Sequence, residues 1–308
     1  MIWYNRVFPG YLKPSTGTCF NVLSSASRVG DVKLATDVFR VLAERNTVFS
    51  SHHYEAILQC YLGVHDMNAA LQIILIMQES SLSISEAQLH PLYVYLCRDP
   101  TRPMNTFMHL QDLARSGRKI PTAAVNTCIR AAVTLNNLTE AIELYKALSS
   151  VCPAGPTTAT FNELFRGCNL QVRKELAMYL ASEMIDLDIS PDRTTYDRLV
   201  LTCCRAGDLD DAIGYYEEMT AEKMLLRRGT HETLIVAALD KGDARCVALL
   251  KAYKEAEYCV DSRAAVLERR VGRMWEERLG EEEESMEDML EALQEGGESG
   301  VAKGTGKR

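Results

Sequence analysis

Apolar residues along this chain fall in short blocks with a helical period, and the blocks come in pairs. Ala141, Leu144, Tyr145 and Leu148 lie at i, i+3, i+4 and i+7, as do Ala212, Tyr215, Tyr216 and Met219, so each set makes one stripe along a helix. Residues 194–219 show the whole unit: an aromatic, Tyr196, opens one helix, Gly207-Asp208 ends it, and a second helix follows.

The unit recurs. Tyr196 is matched upstream by Phe161, Val125, Leu89, Tyr54 and Phe20 and downstream by His231, at steps of 34, 35, 36, 36, 35 and 35 residues counted from Phe20. These anchors number the repeats, Phe20 opening repeat 1 and His231 repeat 7. Sixteen residues after an anchor stands Ala70, Ala141, Ala177 or Ala212, with Ala35 one residue early in the shortest repeat. A small residue there lets the second helix approach its neighbour. A breaker separates the helices: Val29-Gly30-Asp31, His65-Asp66, Asn136-Asn137, Ala206-Gly207-Asp208 and Lys241-Gly242-Asp243. Gly or Asn accepts the left-handed conformation at a helix end, and Asp caps the helix that follows.

A helical pair of this size cannot bury its apolar faces alone and must stack on its neighbours. The pattern therefore predicts an all-α solenoid of about seven helix-turn-helix repeats of about 35 residues, about fifteen helices, with a concave face lined by the first helix of each pair. The phase divides the chain. Residues 1–16 fall where the second helix of a truncated preceding repeat belongs, which implies that the chain begins mid-repeat, and 17–258 form the solenoid. Residues 259–280 form a C-terminal capping helix, with Leu267, Val271, Met274 and Trp275 on one face and Arg263, Arg269, Arg270 and Arg273 around it. Residues 281–308 read as an acidic, disordered tail, in which Met286, Met289, Leu290 and Leu293 make one amphipathic turn able to fold on a partner.

With 47% hydrophobic and 25% charged residues, the 308-residue composition is that of a globular protein. No apolar run approaches the roughly 18–20 residues a membrane helix needs, so no membrane insertion is expected. The first residues, Met-Ile-Trp-Tyr-Asn-Arg-Val-Phe-Pro, have the layout of neither a secretory signal nor an organellar presequence. Ten scattered cysteines without such a signal suit a reducing compartment. The net charge of −8 is uneven: residues 276–308 hold 11 of the 42 acids and 4 of the 34 bases, leaving 31 acids and 30 bases in the rest. A neutral body lacks the basic footprint of a dedicated nucleic-acid binder.

The Trp…Leu-Gly…Tyr pattern of tetratricopeptide units is absent. Instead Ser190-Pro191-Asp192-Arg193-Thr194-Thr195-Tyr196-Asp197, followed by Cys204-Arg205-Ala206-Gly207-Asp208-Leu209-Asp210-Asp211-Ala212, closely resembles the pentatricopeptide repeat. The units opening at Phe161-Asn162, Phe20-Asn21 and Val125-Asn126 resemble it well, those at Tyr54 and His231 moderately, and the one at Leu89 is degenerate, with Pro91 inside its first helix. The resemblance covers roughly residues 1–258. It implies a right-handed α-α superhelix in an organellar, here mitochondrial, protein that binds single-stranded RNA and supports processing, stability or translation of transcripts, one repeat reading about one base.

The family's two reading positions are the residue after the anchor and the one four before the next anchor. Here they pair Asn21 with Ser50, Glu55 with Ser85, His90 with Pro121, Asn126 with Thr157, Asn162 with Asp192 and Asp197 with Arg227, and Glu232 opens the last unit. The resemblance associates Asn162 and Asp192 with uracil and Asn21 and Ser50 with a pyrimidine such as cytosine. Arg205 stands where the family often carries a phosphate-contacting Lys, a place held by Val29, Thr134 and Leu170 in the other good units. Glu55, Asp197 and Glu232 would turn carboxylates toward a phosphodiester, which costs affinity unless they are paired.

The neutral body, those three carboxylates and the acidic tail also support a rival reading: a protein-binding scaffold, subunit or assembly factor of a mitochondrial complex such as the ribosome or a respiratory enzyme. Catalysis is not expected, because no phosphate loop, His-Glu-x-x-His helix or nucleophile elbow occurs. No cofactor or metal is expected either: Cys203-Cys204 is not a Cys-x-x-Cys pair, and Cys97, Cys168 and Cys204 fall where first helices pack. His52 begins a first helix and reads as a surface residue, and His231 as a packed one. Arg130 and Arg166 recur at equivalent places on first helices, within reach of phosphates or of neighbouring acids.

Overall fold

The computed structural model of the chain describes residues 14–80, 84–256, 264–274 and 276. These are helical, with no strand among them. Repeat 1 comprises α1 (Thr16–Val29) and α2 (Val32–Glu44), repeat 2 α3 (Ser51–Gly63) and α4 (Met67–Glu79), and repeat 3 α5 (His90–Leu96) and α6 (Arg102–Arg115). Repeat 4 comprises α7 (Thr122–Thr134) and α8 (Leu138–Val151), and repeat 5 α9 (Thr158–Gln171) and α10 (Lys174–Asp186). Repeat 6 comprises α11 (Arg193–Ala206) and α12 (Leu209–Ala221), repeat 7 α13 (Arg228–Asp240) and α14 (Arg245–Glu255), and α15 spans 264–274. Contacts group the chain into two compact units, one up to Arg198 and one from Leu199, the boundary falling inside α11.

In the first unit the first helices α1, α3, α5, α7 and α9 pack one on the next, and α4, α6 and α8 make a second layer. The core lies between the layers. Cys19, Leu23 and Ala26 of α1 meet Ala35, Val38 and Leu42 of α2 and Ala56, Ile57 and Cys60 of α3. The anchors Tyr54, Leu89, Val125, Phe161 and Tyr196 are buried and Phe20 half-buried, and Ala35, Ala70, Ala141 and Ala177 are buried against neighbouring helices. In the second unit α12 packs on α13 and α13 on α14, with Ala212 and His231 buried. Leu267 and Val271 of α15 are buried, and Arg270 donates to Asp240 at 2.9 Å.

The breakers act as the turn chemistry requires. Gly30, His65, Asn136, Gly207 and Gly242 all have positive φ between 60° and 78°. The side chains of Asp31, Asp66, Asn137 and Asp208 then accept the backbone N–H three residues on. Repeat 3 departs from the expectation. Its first helix is shortened: residues 86–89 form a turn and α5 starts at His90, so Pro91 does lie inside the helix, but in its first turn, where its missing N–H costs nothing. At the start of the chain Thr16 opens α1 behind the cap Ser15, and so belongs to repeat 1, not to a preceding helix. Residues 1–13, Trp275 and the 281–308 tail lie outside the described residues.

Candidate nucleic-acid interface

In repeat 5 the structure joins the two residues that the repeat spacing paired. Asn162, on the second turn of α9, donates from Nδ2 to Asp192 Oδ1 at 3.0 Å. Thr195, one residue before the next anchor, donates to Asn162 Oδ1 at 3.0 Å. A carboxylate only accepts, so the amide must turn its N–H toward Asp192 and its oxygen toward Thr195. Partial burial would push the Asp192 carboxyl up, but donors from Asn162, Thr195 and Thr194 outweigh it and hold the group below the usual carboxylate range. Asp192 is therefore charged at neutral pH, with Asn162 oriented beside it.

Repeat 4 has the same arrangement with one addition. Thr160 donates to Asn126 Oδ1 at 2.8 Å, and Asn126 Nδ2 lies 3.5 Å from Thr157 Oγ1. The same Nδ2 also donates to Glu86 Oε1 at 2.9 Å.

Asn21 and Ser50 are not joined. Both are exposed, and Ser50 is committed to capping α3: His53 Nδ1 accepts from its backbone N–H at 3.2 Å and lies 2.7 Å from its hydroxyl. His53 stands where repeats 5 and 6 carry Thr160 and Thr195, so no hydroxyl is available to orient Asn21.

The carboxylates at reading positions differ in what surrounds them. Glu232 accepts from Arg228 Nε at 2.8 Å and from the Tyr253 hydroxyl at 2.9 Å, and Glu55 lies 3.4 Å from His52 Nδ1. Asp197 is buried. Among the arginines, Arg166 is bonded to Glu163 at 2.8 Å and donates to the Arg130 carbonyl and to Thr134 Oγ1, while Arg130 lies over the Tyr93 ring at 4.3 Å. Arg205 is exposed and, with Lys241, lines a groove of about 310 Å³ whose wall includes Thr233 and Asp240. A larger groove of about 450 Å³ crosses α1, α3 and α5, with Arg28, Gln59, His90, Tyr95 and Arg98 along it. Arg98 is exposed, with no ion pair among the described residues, and Arg28 has only a 3.4 Å contact to Ser24.

The cysteines among the described residues lie in the packing layers. Burial pushes the thiols of Cys128 and Cys168 up to about 12 and those of Cys152 and Cys204 to about 11, so they stay protonated. Cys97 and Cys204 are half-buried at the ends of first helices. Among the described residues no three His, Cys, Asp or Glu side chains gather as a metal-ligand set, and no helix is long and apolar enough to cross a membrane.

Two family models match the chain: a pentatricopeptide repeat-containing protein model over residues 16–148 and the PPR repeat over 194–224. The chain belongs to the pentatricopeptide repeat family. A pentatricopeptide repeat-containing protein of Arabidopsis thaliana is 34% identical over 64 residues, which is 21% of this chain and 11% of that protein. A second, mitochondrial one from the same plant is 30% identical over 121 residues, 39% of this chain and 14% of its own length. The chain thus matches a small part of each relative. Similar solved structures include maize PPR10 with an 18-nt psaJ RNA element, at 18% identity and TM-score 0.49 over 88% of this chain and 39% of that one. The PPR domain of Arabidopsis thaliana protein-only RNase P 1 with tRNA gives 18% identity and TM-score 0.49 over 60% of this chain and 97% of that one.

Within these pentatricopeptide repeats the spacing named Asn126, Asn162 and their partners but missed the residues that set their state. Thr160 and Thr195 orient the amides, and a signal existed, since Thr recurs directly before the anchors Phe161, Tyr196 and His231. Arg98 carries no signal because repeat 3 is degenerate in sequence, and Arg28, at the end of α1, meets it only through the packing of α1, α3 and α5. Glu86 has no sequence signal, because its contact spans 40 residues.

Proposed function

We propose that this chain binds single-stranded organellar RNA, in the mitochondrion, along the first helices of its repeats, and thereby supports processing, stability or translation of transcripts. Repeats of this family read about one base each through two or three side chains. The observation that carries the reading is the Asn162–Asp192 pair, held by Thr195 at the two reading positions. Asn162 keeps one amide N–H for a base, and Asp192 sets an acceptor beside it. A donor next to an acceptor complements the adjacent C=O and N–H of uracil. Arg28, Arg98 and Arg205 supply cations near the path of the backbone. The reading is one of binding, with no chemical step.

The test is retention of a random single-stranded RNA pool by the full chain at two salt concentrations, followed by sequencing of what is held. A uracil-containing motif whose retention falls with salt is expected. Asn162→Ala should weaken binding to the best RNA by about 1–3 kcal/mol, the worth of a good base-edge contact in DNA. No retention at low salt would overturn the proposal in favour of a protein-binding scaffold.

A further inference from the structure

Consecutive repeats present Asn126 and Asn162 at the same position, each with a Thr donating to its oxygen, but the two amides are not equally open. Asn162 is 8% exposed and its N–H groups meet one acceptor among the described residues, Asp192, whereas Asn126 is 1% exposed and spends its Nδ2 on Glu86 as well as Thr157. The difference originates in repeat 3. Three residues before the anchor, the other repeats carry the residue that opens their first helix or lies next to that opening: Gly17, Ser51, Thr122, Thr158, Arg193 and Arg228. Repeat 3 carries Glu86, and its helix has not yet begun there. Residues 86–89 turn instead, braced by Gln88, whose Oε1 accepts the Ser85 N–H at 2.8 Å, and by the His90 N–H bonded to the Ala87 carbonyl at 3.2 Å. That turn sets the Glu86 carboxylate on the Asn126 amide. In repeat 4 the equivalent position holds Thr122, which carries no charge.

We propose that Glu86 is a plug on repeat 4: its carboxylate takes the amide N–H a base would take, so repeat 4 leaves its nucleotide unread while repeat 5 reads. The inference rests on the RNA reading above. The side-chain oxygen of Glu86 already fills the place from which an incoming pyrimidine carbonyl would accept the Asn126 N–H, and a neutral acceptor of the same shape fills it as well. The degenerate repeat is thus a specificity element, and it acts on its neighbour.

The experiment is equilibrium binding of the full chain to the RNA selected by the wild type and to variants in which each nucleotide flanking the repeat 5 uracil is changed in turn. Wild type is expected to be indifferent at the nucleotide facing repeat 4. Glu86→Ala should gain about fivefold for one base there, the worth of one ordinary hydrogen bond. Asn126→Ala, made in the Glu86→Ala background, should abolish that gain. Glu86→Gln, which keeps an acceptor for Asn126 and loses the charge, should stay within about twofold of wild type. A Gln variant that gains as much as the Ala variant reduces the effect to charge and overturns the plug. So does a gain that survives Asn126→Ala in the Glu86→Ala background. If Asn162→Ala weakens binding and Glu86→Ala changes nothing, the plug alone falls. If no variant binds RNA, the RNA reading falls and takes the plug with it.

Discussion

Asn162 and Asn126 show how little a side chain's identity says about its availability: both are amides one residue after an anchor, and a single carboxylate separates an open one from a closed one. The anchors themselves make the same point. His231 replaces an aromatic and is buried edge-on to Tyr253, with ring centroids 5.5 Å apart, its Nε2 donating to the Leu249 carbonyl at 3.1 Å. Burial pushes its imidazole down to about 4 from 6.5. The unfolded chain therefore takes up a proton that the folded one refuses. His231's contribution is complete above pH 6.5 and is lost as pH falls toward 4. His231→Phe should remove this dependence. In urea unfolding at pH 7 and pH 4.5, wild type is expected to lose about 2 kcal/mol more than the variant. Equal losses would assign the acid sensitivity to other groups.

At the scale of the element, the turn between paired helices is the recurring device. It needs one residue in the left-handed region, and Gly, His or Asn supplies it in repeats 1, 2, 4, 6 and 7. Repeat 5 uses Val172, at φ 53° and ψ 46°, where a β-branched residue is strained. Val172 is largely solvent-exposed for an apolar residue, so little burial is lost by changing it. Val172→Asn should raise stability by about 1 kcal/mol, read as a higher urea midpoint with an unchanged slope. Repeat 3 shows the opposite economy: Pro91 is tolerated because the helix begins one residue before it, and the turn left in place of the missing first turn is what delivers Glu86.

At the scale of the whole molecule, a body with 31 acids and 30 bases before residue 276 binds a polyanion only where cations are left uncommitted. Arg166 is bonded to Glu163, and Arg245 to Asp243 and Asp210. Arg98 is not so engaged among the described residues. Arg98→Ala should therefore weaken RNA uniformly across sequences and reduce the slope of log affinity against log salt by about 0.7, the worth of one contact to a single strand. Arg166→Ala should change that slope little. Titrations at three salt concentrations distinguish the two, and equal slopes for wild type and Arg98→Ala would remove the α1–α3–α5 groove from the RNA path.

What the sequence determined alone was everything that depends on near neighbours and on the repeat phase: the period, the paired helices, the caps Asp31, Asp66, Asn137 and Asp208, the buried anchors and alanines, and the pairing of Asn162 with Asp192. Helical stripes and turn chemistry act over a few residues, so they are written along the chain. Where α5 begins was not legible, because a degenerate repeat keeps its phase while losing its first turn. Nor was the state of each residue at these positions, which is set by partners about 30 to 40 positions away: Thr157 and Glu86 for Asn126, Asp192 and Thr195 for Asn162, against none among the described residues for Asn21, whose would-be partner Ser50 is spent on a cap. A hydrogen bond needs its two groups within about 3 Å. Repeat spacing brings two helices side by side but does not set distances that fine, so only the packed tertiary structure decides which amides a ligand can reach.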